Sequence, residues 1–171
     1  MFGAQQRSAT NRLALAVAVL VIGLYSGVAR AVEGAAVVEQ RQAHMKGQGK
    51  DLGAIKAFLD GRADLAAAQA AGADLVKSVE AIPGLFPKGT GMVEFPGKSA
   101  AKPAIWTEPG KFTAAAKNAV TKAKALDAAL QGGNKAAITT AFAGMIKGGW
   151  YDAGNGCGGC HVPFREKKKR S

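Results

Sequence analysis

The chain has 171 residues, 48% apolar and 20% charged, which suits one domain with a real core and is short for two. Alanine supplies 36 residues and aromatics only 6%, so strand formers are thin and an all-β sandwich or barrel is excluded; two cysteines are too few for a disulfide scaffold. The 23 Lys and Arg against 12 Asp and Glu leave a net +11, which asks for an acidic partner, an anionic surface or nucleic acid without choosing among them.

Residues 1–12 carry Arg7 and Arg12 and no acid. Leu13 to Val28 is a sixteen-residue apolar run, and Ala29-Arg30-Ala31 follows as a small-x-small cleavage signature. These three parts predict a secretory signal peptide over 1–31, removed to leave 32–171. The run is short for a membrane span, which needs about 20 apolar residues. The mature chain keeps 20 cations and 12 acids, a charge of +8.

Val38, Met45, Leu52 and Leu59 step by seven, with Ile55 between, and predict a first helix that packs along one stripe. Leu65, Ala68, Gly72, Leu75, Val79 and Ile82 predict a second, stopped at Pro83-Gly84. Residues 83–110 hold five of the six prolines and read as a long, ordered loop pinned by Leu85, Phe86, Ile105 and Trp106. Phe112, Ala116, Ala119, Ala123, Leu126 and Leu130 make a third stripe, ended by Gly132-Gly133. Asn134 is placed as the N-cap of a fourth helix carrying Ile138, Phe142, Met145 and Ile146. The fold class predicted is all-α: an antiparallel four-helix bundle with a long loop between helices 2 and 3.

One motif carries chemistry. Cys157-Gly158-Gly159-Cys160-His161 is C-x-x-C-H, the attachment pattern of c-type haem. Two thiols reach two vinyl groups on one porphyrin edge, and the adjacent imidazole turns under the plane toward iron. A thiol–disulfide pair is the bland alternative, but that arrangement opens a helix beside a βαβ sheet and no sheet pattern exists here. A structural zinc site needs four ligands. Besides His161 the chain offers only one other histidine, His44. Haem c, one per chain, is the cofactor expected.

With the motif at the carboxy-terminal end, the chain resembles the cytochrome c′ / cytochrome c-556 family, the class II c-type cytochromes, over roughly residues 35–166. The resemblance rests on Arg41-Gln42-x-x-Met45-Lys46, Leu85-Phe86-Pro87, Ala101-Lys102-Pro103-Ala104-Ile105-Trp106 before Phe112, Ala141-Phe142, and Cys157-x-x-Cys160-His161-x-x-Phe164-Arg165, in that order. It implies thioether bonds at Cys157 and Cys160 and a proximal axial His161. It also implies propionate hydrogen bonds from Arg41 and Gln42, and a basic Arg165 near the proximal face. Met45 matches the residue facing iron from the distal side and is expected as sixth ligand, which raises the reduction potential. The alternative leaves iron five-coordinate, with the distal side open to NO or CO. His44 points elsewhere on the helix and reads as solvated or close to a propionate.

The expected function is a periplasmic single-electron carrier, not an enzyme. Its partner is a redox protein with an acidic docking surface, met by the basic tail Lys167-Lys168-Lys169-Arg170. A homodimer is compatible with the small residues at 66–73, nucleic acid is set aside for an exported chain, and membrane contact is at most peripheral. Two departures from the family pattern stand out. Cys157 follows Phe142 by fifteen positions, with Gly148, Gly149, Gly154 and Gly156 in the interval, which predicts a break in the fourth helix and a loop before the motif. Pro163 follows the axial histidine by two, so the haem helix should begin near Cys160 or be distorted.

Overall fold

The computed structural model describes the backbone of residues 6–167 and the side chains of 32–167. The tail residues Lys168–Arg170 and the side chains of the expected signal segment 1–31 lie outside the described residues. The chain divides into residues 1–36 and 37–171, and everything below concerns the second unit. The helices are α1 (Gln6–Leu59), α2 (Leu65–Glu80), α3 (Ala104–Thr107), α4 (Pro109–Gly132), α5 (Lys135–Ile146) and α6 (Gly158–Phe164), with a 3₁₀ turn at Ile82–Leu85. Among the described residues no strand forms, only one isolated antiparallel bridge between Ala101 and Arg165. No described helix is long and apolar enough to cross a membrane.

The bundle of α1, α2, α4 and α5 follows from capping and stripes. Asp64 accepts from the Ala67 N–H at 2.8 Å and starts α2. Asn134 accepts from the N–H groups of Ala136 and Ala137 and starts α5, as its position in the sequence predicts. Gly133, at φ 70°, supplies the left-handed residue that ends α4. Helix α4 is central and packs on α2, α5, α3 and α6. Ile55, Leu75, Leu126, Leu130, Ile138 and Met145 are fully buried where the helices meet. The small residues proposed for a dimer face are partly spent within the chain. Ala68, Ala71 and Gly72 are buried, and a Cβ on Gly72 would stand 2.6 Å from a Leu130 methyl, so glycine lets α2 and α4 approach.

The loop between α2 and α4 is ordered by polar clasps as well as by its apolar anchors. Ile105 is buried, and Trp106 donates its ring N–H to the Phe86 carbonyl at 2.9 Å. Phe86, Phe112 and Phe164 meet edge to face in series, with centroids 5.1 and 5.3 Å apart. Three segments distant in sequence are joined by that stack.

After α5 the chain breaks as expected: Gly148 and Gly149 both take positive φ, 82° and 85°. The haem-motif helix does not begin near Cys160. It begins at Gly158, because the Asn155 side chain accepts from the Gly158 N–H at 2.6 Å and caps the turn two residues earlier. Pro163 consequently falls inside α6, where a seven-residue helix loses little of its ladder.

Candidate functional site

The motif, α1 and α4 enclose a cavity of about 460 Å³. Met45, Leu52, Leu75 and Val79 line it, as do Cys157, Cys160, His161 and Phe164. Phe86, Ile105 and Phe112 complete its apolar lining. Every candidate ligand of the sequence analysis except His44 therefore faces one space, and Arg41, Gln42 and Arg165 line it too.

The motif side chains are held by their helix and by burial. Gly158 is required within C-x-x-C because a Cβ there would run into the Asp152 carbonyl. Burial pushes the Cys157 thiol up to about 12, with Cys160 adding to the effect, and the Cys160 thiol up to about 11. No disulfide joins the two cysteines. Thiol–disulfide catalysis needs the reverse, a lowered thiol pKa in an electropositive setting. Burial also pushes His161 down to about 4. Arg165 reinforces this, and the Trp150 backbone opposes it without completing a hydrogen bond at Nδ1. His161 is thus neutral at pH 7, the form that ligates a metal. Trp150 and Tyr151 flank its ring at centroid distances of 5.5 and 6.0 Å.

The residues expected at the propionates are engaged with the loop. Arg41 is 5% exposed, and its terminal nitrogens donate to Leu85 O (3.3 Å), Thr90 Oγ1 (3.1 Å), Thr90 O (2.8 Å) and Ser99 Oγ (2.8 Å). Its guanidinium also lies 4.6 Å over the Phe86 ring. Gln42 donates to the Lys98 carbonyl at 2.6 Å. His44 leaves the site altogether. Its Nε2 is 2.7 Å from the Ser78 carbonyl, an acceptor only, so the Nε2–H tautomer is present and ties α1 to α2.

Sequence reasoning missed four features. Lys46 and Lys98 line the cavity alongside Arg165, giving three cations at its edge. Met145, assigned to the core, is 1% exposed and lines the cavity too. Gln48 is 7% exposed, and its Nε2 has no partner inside the protein. Trp150 is an aromatic in a run of glycines, and that contrast was the available signal.

These residues fit a haem. The thiols and imidazole line one cavity with apolar and aromatic side chains, and the cations that line it too would neutralise a cofactor's carboxylates. Two buried nitrogens, Nδ1 of His161 and Nε2 of Gln48, lack partners in the protein alone. A bare metal ion is not served, since among the described residues no three His, Cys, Asp or Glu converge. Fold and cavity together define a c-type haem protein on a four-helix bundle.

Comparison with known proteins agrees. Residues 36–165 match the family described as Cytochrome C′. The cytochrome c′ of Pararhodospirillum photometricum is 33% identical over 132 residues, covering 77% of this chain and 97% of that protein. The cytochrome c-556 of Agrobacterium fabrum is 36% identical over 144 residues, covering 82% and 88%. The solved cytochrome c′ from Thermochromatium tepidum superposes with a TM-score of 0.66 at 27% identity, covering 78% of this chain and 97% of that one. The chain belongs to the cytochrome c′ family, and its cofactor is covalently attached haem c.

Proposed function

We propose that this protein is a periplasmic carrier of single electrons, exported by a cleavable signal over 1–31 and without enzymatic activity. Haem, when bound, supplies one-electron chemistry by cycling between Fe(III) and Fe(II). Cys157 and Cys160 would hold it by thioether bonds, and His161 and Met45 would supply the nitrogen and sulfur ligands of its iron. Arg165 supports the proximal side, and Arg41 and Gln42 set the propionate end through the loop that they clasp. The apolar walls exclude water, so little rearranges when charge changes. The observation carrying this reading is that Met45 and His161 line one cavity that both thiols share. The partner is a redox protein with an acidic surface, and a homodimer is compatible with a relative described by its ligand-controlled dimer dissociation, 26% identical.

A second reading has its own support. The cytochrome c′ of Alcaligenes xylosoxidans, 23% identical and alike in fold, has been solved with bound NO. On that reading iron is five-coordinate, and a gas such as NO or CO enters past Met45. The ferric optical spectrum separates the two: low-spin bands support the carrier, high-spin bands support gas binding. Met45→Ala should turn a low-spin protein high-spin and lower its potential; an unchanged spectrum refutes ligation by Met45.

A further inference from the structure

We propose that electrons enter and leave through the loop 147–156, with Trp150 as the contact residue, and that the partner is an acidic one-electron carrier protein with an apolar spot at the centre of its docking face. This rests on the electron-carrier reading and names its docking surface. One electron passes from the partner's reduced centre to Fe(III), giving Fe(II), and no proton or atom moves with it.

Four large hydrophobic residues are exposed among the described residues, and two of them flank the axial histidine. Trp150 is 37% exposed with its ring 5.5 Å from the His161 ring, and Val162, the next residue in the chain, is 38% exposed. Trp150 is therefore at once surface and neighbour of the metal ligand. An electron arriving on its outer edge meets protein atoms in van der Waals sequence up to His161.

Cations surround this apolar centre. Arg165 and Lys167 lie 5.8 and 4.9 Å over the Tyr151 ring, and Lys147 is exposed where the loop begins. None of the three is ion-paired with a described residue. The carboxylates of the segment are occupied: Asp152 accepts from the Gly154 N–H at 2.9 Å, and Glu166 lies 3.9 Å from Lys102. The sequence continues with Lys168, Lys169 and Arg170. An apolar centre with a predominantly positive rim, in which Asp152 is the one carboxylate without an ion pair, matches transient interfaces, where aromatics anchor and opposite charge speeds encounter. The loop is also rigid enough to present a contact. Asn155, 2% exposed, donates to the carbonyls of Lys147 and Gly149 at 2.9 and 2.8 Å and accepts from Gly158 N–H.

The test is voltammetry of the holoprotein on gold coated with carboxylate-terminated or hydroxyl-terminated alkanethiols. The wild type should exchange electrons faster on the carboxylate film, and the advantage should vanish with salt. Lys147→Glu with Lys167→Glu should slow exchange on that film about tenfold, while Lys135→Glu, at the start of α5, should change it less than about twofold. Trp150→Ala should slow exchange on both films by more than any accompanying shift in midpoint potential accounts for, and Trp150→Phe should restore most of the rate. Equal rates for Trp150→Ala and wild type, or equal slowing by Lys135→Glu, overturns the proposal while leaving the carrier reading intact. Absence of any reversible one-electron wave in the wild type defeats the carrier reading and the proposal together. Loop-dependent sedimentation with phosphatidylglycerol vesicles at physiological salt, or loop-dependent dimerisation in ultracentrifugation, assigns the face to lipid or to a second copy and overturns the choice of partner.

Discussion

Replacing Arg41 with Ala should unfasten the loop between α2 and α4. Four hydrogen bonds leave with the guanidinium, two of them at 2.8 Å. They are not four independent losses. The Ser99 hydroxyl still donates to Thr90 O, and the Thr90 hydroxyl still donates to Pro87 O, so the loop keeps part of its internal network. The Leu85 carbonyl loses its Arg41 donor, and Phe86 loses the cation over its face. Removing the guanidinium also relieves a cost, because burial already lowers its pKa from the usual arginine value. A charged hydrogen-bond donor contributes about 1.5–3 kcal/mol net, and the orphaned acceptor adds to the loss, so the balance is about 3 kcal/mol. For a domain of this size that is a fall in Tm of about 10 °C. Circular dichroism during heating of the holoprotein gives the global number, and hydrogen exchange over residues 86–101 locates it. Arg41→Lys should recover little, since one ammonium cannot span Thr90 and Ser99. If Arg41 serves chiefly a propionate, the potential will move while Tm and loop exchange stay at wild-type values, and the clasp argument is refuted.

Other perturbations test other parts of the molecule. Burial, and then Asp74, push the Asp51 carboxyl above its ordinary range, so the folded state binds the proton more tightly than the unfolded one. Stability therefore falls as pH rises through that range, and Asp51→Asn should raise Tm at pH 7, lose its advantage near pH 3, and gain less in high salt; melts at the two pH values decide it. Gly72→Ala gains helix propensity but drives a methyl toward Leu130 at 2.6 Å, for a net loss of about 1 kcal/mol in denaturant titration. Asn155→Ala strands the Lys147 carbonyl and the Gly158 N–H and leaves the Gly149 carbonyl only its 3.4 Å bond from the Asp152 N–H, at about 2 kcal/mol, and should raise hydrogen exchange in 147–159 before the rest of the bundle.

The four main helices and the cap at Asn134 were legible because periodicity and capping are local properties. The haem motif was legible because attachment chemistry fixes its spacing. The contacts of Arg41 with the loop were not. Its partners there, Thr90 and Ser99, are 49 and 58 residues away, and nothing local signals them. The seven-residue step on α1 drew attention to Val38, Met45 and Leu52, yet Arg41 and Gln48 lie in the same stripe, nearly as buried as Val38 and Leu52 and more so than Met45. A reading restricted to apolar residues passes over polar ones spent on the core or aimed into a cavity.

The distal and proximal sides of the cavity differ for the same reason. The distal wall is a helix stripe, whose side chains follow from 3.6 residues per turn. The proximal wall is fastened by side chain to backbone. Asn155 gathers carbonyls from the end of α5 and the first N–H of α6, and two glycines with positive φ turn the chain between them. That arrangement explains how a chain with fourteen residues between Phe142 and Cys157 still brings its motif to the cavity. The extra length folds back on itself as a turn, with the Gly156 and Cys157 N–H groups bonding to the carbonyls of Gly144 and Met145 on α5. Those two bonds set where Cys157 stands, so a deletion within 148–154 that left the motif intact would still displace the first thiol from its wall and lower the yield of covalent haem.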